Sequence, residues 1–270
     1  MIIVNLTGGL GNQMFQYAFG KKIALECKTS LKIHYTNALL NTQRSFELDV
    51  FNISANLATK EDLHRLGVFS NRIINRVLYL LDERFKFQVN RNILTQRYPY
   101  NFDINYLSIK DSSYIQGFWA DERYFNGIES VLIEEFTPRK KLDRKNNEIL
   151  KKIQTNKSVS VHVRRGDYIT NKDRVLKFIG INYYKEAIKK IDRLVQNPSY
   201  FIFSDDIEWC RENFKDLKNR VYFIDYNKGK DAYKDMWLMS KCKHNIIANS
   251  TFSWWGAWLN QNKNKIIIKP

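Results

Sequence analysis

The chain has 270 residues, 44% of them hydrophobic and 14% aromatic, with 44 basic against 28 acidic side chains and a formal charge of +16. That is ample for the core of one large domain or two small ones; it fits a folded globular protein and excludes a disordered one. No apolar run is long enough to span a bilayer. Cys27, Cys210 and Cys242 lie far apart without CxxC or Cys/His spacing, which excludes a disulfide framework and a zinc module.

In chain order, residues 2–6 (IIVNL) read as a first strand and not as a signal peptide, since a charged start and a small-residue cleavage site are both lacking. Synthesis and residence in the cytoplasm are therefore expected. A glycine turn leads to a helix over 12–26, and a second strand follows over 31–35. Between about 36 and 110 the pattern blurs into an irregular insertion with helical spacing at 60–66 and 71–81; residues 113–119 read as a returning strand. The basic stretch Arg139, Lys140, Lys141, Arg144 and Lys145, followed by Lys151 and Lys152, reads as a linker or an exposed helix with little core signal.

From residue 158 the pattern turns regular. Strands at 158–163, 200–204, 221–225, 245–248 and 265–268 alternate with helices at 183–194, 207–214, 232–242 and 252–259. Such alternation predicts a parallel sheet with helices on both faces and right-handed crossovers. The fold class is α/β, with two Rossmann-like domains, 1–150 and 151–270, facing each other across a cleft. The basic excess suits an anionic partner, or else reflects a solvated lysine-rich surface; both readings stand. No helix-turn-helix, zinc-finger or RNP-type aromatic signature accompanies it, so nucleic acid is not an expected partner.

Four motifs carry chemistry. In TGGLGNQMF, Gly8, Gly9 and Gly11 let the backbone turn tightly between strand and helix, where free amides face a ligand. It is no dinucleotide fingerprint, because Met14 takes the third glycine position and the second strand ends on His34 and Tyr35 without an acid. Three glycines alone are a structural turn; Asn12 and Gln13 add polar amides at its edge. In SVSVHVRRGDY, a Val-rich buried strand delivers Arg164 and Arg165 to its carboxyl end, where open α/β sheets bind ligands. Arginine there suits phosphate, although a surface Arg–Asp turn bent at Gly166 is the plainer alternative. Arg165-Gly166-Asp167 is too short to read as an adhesion signal, and a buried strand before it argues against a protruding loop.

Ser204, Asp205 and Asp206 end another strand. They could hold a divalent ion, accept hydrogen bonds from a ligand, or cap the next helix. In NSTFSWWGAW, Ser250, Thr251 and Ser253 place hydroxyls and amides at a helix start, while Trp254, Trp255 and Trp258 follow within one and a half turns. At that spacing, core packing of at least two rings is expected, with sugar or base stacking as the alternative. No Ser/His/Asp or Cys/His nucleophile arrangement is present, and four scattered histidines make no metal cage.

GGLGNQMF, HVRRGDY and NSTFSWWGAWL, in this order and with SDD as a fourth element, resemble glycosyltransferase family 11, and within it the bacterial α-1,2-fucosyltransferases. The resemblance spans nearly the whole chain. It implies a GT-B-type fold, GDP-fucose as donor, inversion at the anomeric carbon, and no metal or other cofactor. It implies that Arg164 contacts the β-phosphate and that His162 lies beside the nucleotide. Arg165 and Asp167 brace the loop, and Ser204, Asp205 and Asp206 lie on the donor side. Asn249, Ser250, Thr251, Phe252 and Ser253 hold phosphates and ribose. Asn12 faces the fucose and acceptor, with Gly11 and Gln13 on the acceptor side. The implied acceptor is a β-galactoside-ended glycan, in the expected setting a lipid-linked polysaccharide unit at the inner face of the inner membrane, where the basic charge suits peripheral attachment. No carboxylate stands out as general base.

Overall fold

The computed structural model describes residues 1–35, 45–68, 92–97, 101–170 and 178–270. The helix expected over 71–81 lies outside the described residues. The chain divides into two compact units, Met1–Arg139 and Lys140–Pro270.

The first unit is built on β1 (Ile2–Leu6), all five residues of which are buried. It pairs in parallel with β2 (Leu31–Tyr35) on one side and β5 (Ser113–Gln116) on the other. Two short strands, β3 (Asn56–Leu57) and β4 (Ile93–Thr95), complete a parallel sheet of order β3-β2-β1-β5-β4. Both outer strands lie in the stretch read as irregular. At two and three residues they are too short to show a period in sequence. The strand expected over 113–119 stops at Gln116, because the chain turns out of the sheet at Gly117 and Trp119 takes φ +51°.

Helix α1 (Leu10–Glu26) has almost no polar face: Leu10, Met14, Phe15, Tyr17, Phe19 and Ile23 are all buried. That marks a helix surrounded by protein and not one lying on a surface. Gly20 permits this, since a Cβ there would stand 3.0 Å from the Val4 side chain and 3.1 Å from that of Leu31. Within this core Tyr17 donates to Glu135 at 2.7 Å, and Lys21 reaches the same carboxylate at 2.8 Å. Burial and the Glu135 carboxylate push the Tyr17 hydroxyl well above its ordinary range.

The second unit repeats the plan. β6 (Ser158–Val163), β7 (Ser199–Ser204), β8 (Val221–Ile224), β9 (His244–Ile246) and β10 (Ile267–Ile268) form a parallel sheet of order β10-β9-β6-β7-β8. Alternation along β6 sorts its side chains. Val159, Val161 and Val163 pack with Tyr184, Ala187, Ile188 and Ile191 of α2 (Ile181–Leu194), whose other face is exposed. Ser158, Ser160 and His162 face the opposite layer, where Ser160 accepts a hydrogen bond from buried Asn245 at 2.7 Å.

The helix Arg144–Thr155 belongs to this second unit, so the boundary lies at Arg139/Lys140 and not after residue 150. The reason is a buried polar knot that composition alone hides behind the surrounding lysines. Asp143 caps the helix through Asn146, and Asn146 exchanges hydrogen bonds with Asn227 at 3.0 and 2.8 Å. Asn227 in turn donates to Asp235 at 2.7 Å. Burial of Asp235 holds its carboxyl up at about 7.

Candidate functional site

In the second sheet, connections leave β6 toward β7 on one side, while β9 flanks β6 on the other. The carboxyl end of β6 is thus the point where strand order reverses, the place at which open α/β sheets hold ligands. Three loops meet this edge, those after β6, β7 and β9.

The register of β6 and β7 sets the charges. Val163 pairs with Ser204, so the next residues along each strand stand opposite one another. Arg164 Nη1 lies 3.2 Å from Asp205 Oδ2, and Arg165 Nε lies 2.9 Å from Asp206 Oδ2. Asp205 also accepts the main-chain N–H of Arg165 at 2.9 Å and of Gly166 at 3.0 Å. A Cβ on residue 166 would sit 2.9 Å from Asp205 Oδ2, which is why glycine follows the two arginines.

The two arginines have different surroundings. The Arg165 guanidinium packs against Phe178 at 4.8 Å and Trp209 at 4.4 Å, two rings that meet edge to face at 5.7 Å, and its side chain is 18% exposed. With Asp206 on its Nε, it ties the loop to the helix Ile207–Asn213. Arg164 is 25% exposed and lies 5.9 Å from the Tyr168 ring. Tyr168 donates to the Asn249 carbonyl at 2.9 Å, which joins the loop after β6 to the loop after β9.

Of the aspartates, Asp206 caps the helix Ile207–Asn213 by accepting from Trp209 N–H at 3.2 Å, and Ser204 accepts from Asp206 N–H at 3.0 Å. Asp205 does not cap that helix. Both carboxylates face arginine, and among the described residues no group of three His, Cys, Asp or Glu side chains forms a metal cluster.

His162 is buried on the sheet face opposite the valines, its ring 5.5 Å from Phe252, and its Nδ1 has no hydrogen-bond partner. Burial, then the Arg164 charge, lowers its pKa to about 3, so the ring is neutral across the ordinary pH range. The helix Thr251–Trp258 starts beside it, with half-buried Ser250, Thr251 and Phe252 at its first turn and Asn249 exposed before it. Ser253 is fully buried and directs its hydroxyl to the Ala248 and Ser250 carbonyls at 3.4 and 3.2 Å. It shapes the turn from inside. Of the three tryptophans, Trp255 alone is fully buried. Trp254 and Trp258, four apart, stack at 6.3 Å and are half-buried. One ring, where two were expected, is committed to the core.

In the first unit, the loop after β1 is neutral. Gly8 takes φ +76°, and a Cβ there would meet Asn12 Nδ2 at 2.9 Å. Gln13 is 0% exposed: its Nε2 donates to the Gly8 and Ser45 carbonyls at 2.9 Å each, and its Oε1 accepts from Glu47 N–H at 2.9 Å. Gln13 therefore holds the loop from inside; Gly11 is buried, while Asn12 keeps partial exposure. Glu47, which the sequence did not single out, accepts from Leu10 N–H at 3.0 Å at the start of α1.

Tyr168, Phe178 and Trp209 were also not singled out. Trp209 had a signal, standing three residues after Asp206 where a helix cap points; Phe178 had none. Asp167 lies at the start of the helix Gly166–Thr170.

A strand-end loop with an arginine pair, one built in and one partly open, can hold a phosphate against a neutral histidine and a helix start. The family description Glycosyl transferase family 11 matches residues 1–270. The chain belongs to glycosyltransferase family 11. It is 39% identical to an alpha-1,2-colitosyltransferase of Escherichia coli over 100% of this chain and 91% of that one. It is 34% identical to the O-antigen biosynthesis glycosyltransferase WbnK of Escherichia coli, over 98% of this chain and 92% of that one. A galactoside alpha-(1,2)-fucosyltransferase 1 of Saimiri boliviensis boliviensis is 29% identical over 54% of this chain and 42% of its own length. Among solved structures, the fucosyltransferase NodZ from Bradyrhizobium matches with a TM-score of 0.57 at 14% identity, covering 94% of this chain and 91% of that one. The fold is thus the GT-B-like α/β fold, with two parallel-sheet regions.

Proposed function

We propose that this glycosyltransferase moves L-fucose from GDP-fucose to O2 of a terminal galactose, with inversion at the anomeric carbon. The observation that carries the reading is Arg164, a partly open guanidinium at the switch point of the second sheet, in a family 11 chain. As the acceptor O2 bonds to C1 of the sugar, the C1–O bond to the diphosphate breaks and its electron pair leaves with GDP. The acceptor's proton is released to solvent on the acceptor side, opposite the departing diphosphate. Arg164 meets the charge growing on the β-phosphate, where a fixed donor acts most strongly.

His162 stands beside the nucleotide as a neutral ring, and Asn249, Ser250, Thr251 and Phe252 hold phosphates and ribose at a helix start. Asn12 faces the fucose and the acceptor. No metal takes part: Asp205 and Asp206 are engaged with arginines, and activity is expected to persist in a strong chelator. A chelator loss of about two orders of magnitude, restored by Mg²⁺ or Mn²⁺, would make them ligands instead. The acceptor we infer is a β-galactoside-ended polysaccharide unit on a lipid carrier at the inner membrane face; the O-antigen relative supports a polysaccharide product.

One observation favours a second sugar. The relative at 39% identity is named for colitose, which is fucose without its 3-hydroxyl. The deciding experiment offers GDP-fucose and GDP-colitose in parallel to the pure protein with a β-galactoside, and reads product mass and linkage. A fucosylated 1→2 product is expected. Product from GDP-colitose alone moves the donor to the second reading; a 1→6 linkage or no transfer overturns the proposal.

A further inference from the structure

The two aspartates of the β7 loop stand opposite the two arginines of the β6 loop by strand register, and they do different work. We infer that Asp205 is a positioning residue that acts through Arg164, setting the guanidinium for the donor's β-phosphate without touching the donor itself. The inference rests on the GDP-sugar reading above.

Three contacts carry it. Asp205 Oδ2 takes Arg164 Nη1 at 3.2 Å and Gly166 N–H at 3.0 Å, while Oδ1 takes Arg165 N–H at 2.9 Å. One carboxylate therefore fixes both the main chain that carries Arg164 and the end of its side chain. Glycine at 166 is the steric condition for that approach, because a Cβ would fall 2.9 Å from Oδ2. An acid placed here opposes a diphosphate in the ground state by simple charge. Its return is geometric: an arginine on a loop has many rotamers, and a donor must be in place before charge develops if it is to favour the transition state. Asp206, by contrast, serves Arg165, which already packs against Phe178 and Trp209.

The test uses Asp205→Asn, Gly166→Ala, Arg164→Lys and the Asp205→Asn/Arg164→Lys double variant. It measures kcat, thermal unfolding, and the preference for GDP over GMP, which isolates the β-phosphate contact from the rest of the nucleotide. Asp205→Asn should lower kcat by about 10–100-fold, as expected for misplacement on the ångström scale. It should shrink the GDP-over-GMP preference at least about threefold with GMP affinity unchanged. Gly166→Ala, which displaces the carboxylate but keeps its charge, should move both readouts the same way. In the Arg164→Lys background, Asp205→Asn should add less than about a threefold further loss, since a residue acting through its partner is not additive with it. Wild-type kcat and preference in a folded Asp205→Asn, or a full additional loss in the double variant, would overturn the inference. Should Asp205→Asn fail to fold, Asp205→Glu and Gly166→Ala carry the same comparison. If the wild type binds GDP but transfers no sugar, the functional reading falls, while the nucleotide preference still judges the coupling.

Discussion

Each unit has a buried central strand followed by a loop and a helix or helical turn, yet the two loops use unlike chemistry. The loop after β1 is uncharged at its turn, from Gly8 to Gln13, and is held from inside by a fully buried amide. The loop after β6 carries two arginines and is held by two carboxylates and two aromatic rings. An amide loop held by its own Gln13 side chain suits neutral hydroxyls, while an arginine loop fixed by ion pairs suits a diphosphate. The same place in a Rossmann-like plan thus takes either role, and the fixing group lies within the first loop, at Gln13, but outside the second, at Asp205 and Asp206.

The largest effect that would break this contrast lies at Arg164. Arg164→Ala is expected to cut kcat by about 10²–10³-fold, the scale of losing one preorganised donor. Arg164→Lys should rescue weakly, since an ammonium lacks the fork. Steady-state kinetics with thermal unfolding as a control decides; near-normal kcat in a folded Arg164→Ala would return the arginines to a surface turn.

Asn12→Ala tests the neutral loop. Turnover should fall while calorimetric GDP affinity changes little, and parallel loss of both would erase the division of labour between the loops. Arg165→Ala should act mainly on stability, lowering the unfolding midpoint because two rings and Asp206 lose their shared partner, with a milder loss of kcat than at Arg164. A wild-type midpoint with a large kcat loss would place Arg165 at the substrate.

The smallest effect concerns protons in the second unit. His162 titrates at about 3 in the fold against about 6.5 unfolded, so its contribution is complete above pH 6.5 and is lost as pH falls toward 3. Asp235 titrates at about 7 in the fold against about 3.9 unfolded, so its contribution is complete at acid pH and is lost as pH rises to 7. Between pH 4 and 6.5 the two slopes oppose each other. Relative to wild type, His162→Gln should give stability that falls more steeply with rising pH across this window, and Asp235→Asn stability that rises. Denaturant unfolding at several pH values checks both signs; parallel curves for all three proteins would refute the assignment.

The strands of the second unit were legible because each is a run of apolar residues bounded by polar turns, and burial on both faces demands that pattern. Three of the four motifs sit at the carboxyl ends of those strands and the fourth at that of β1, where chain order and chemistry coincide. Edge strands β3 and β4 were not legible, being too short for any period, and the helix Arg144–Thr155 was legible only as one of two readings, a linker or an exposed helix, because its inward contacts are a polar Asn146 and Ile153 among exposed lysines.

Sequence by itself determined which residue types stand at each strand end: arginines after β6, aspartates after β7, amides after β1. Local pattern suffices for that, since strand and turn depend on near neighbours. Only the tertiary structure decided which of them face outward. Gln13 and Ser253, polar and placed within the motifs, turn inward onto main-chain carbonyls, and Asp205 turns to the arginine of a neighbouring strand. The reason is physical: a buried carbonyl or amide needs a hydrogen-bond partner, and which side chain supplies it depends on strand register across some 40 residues.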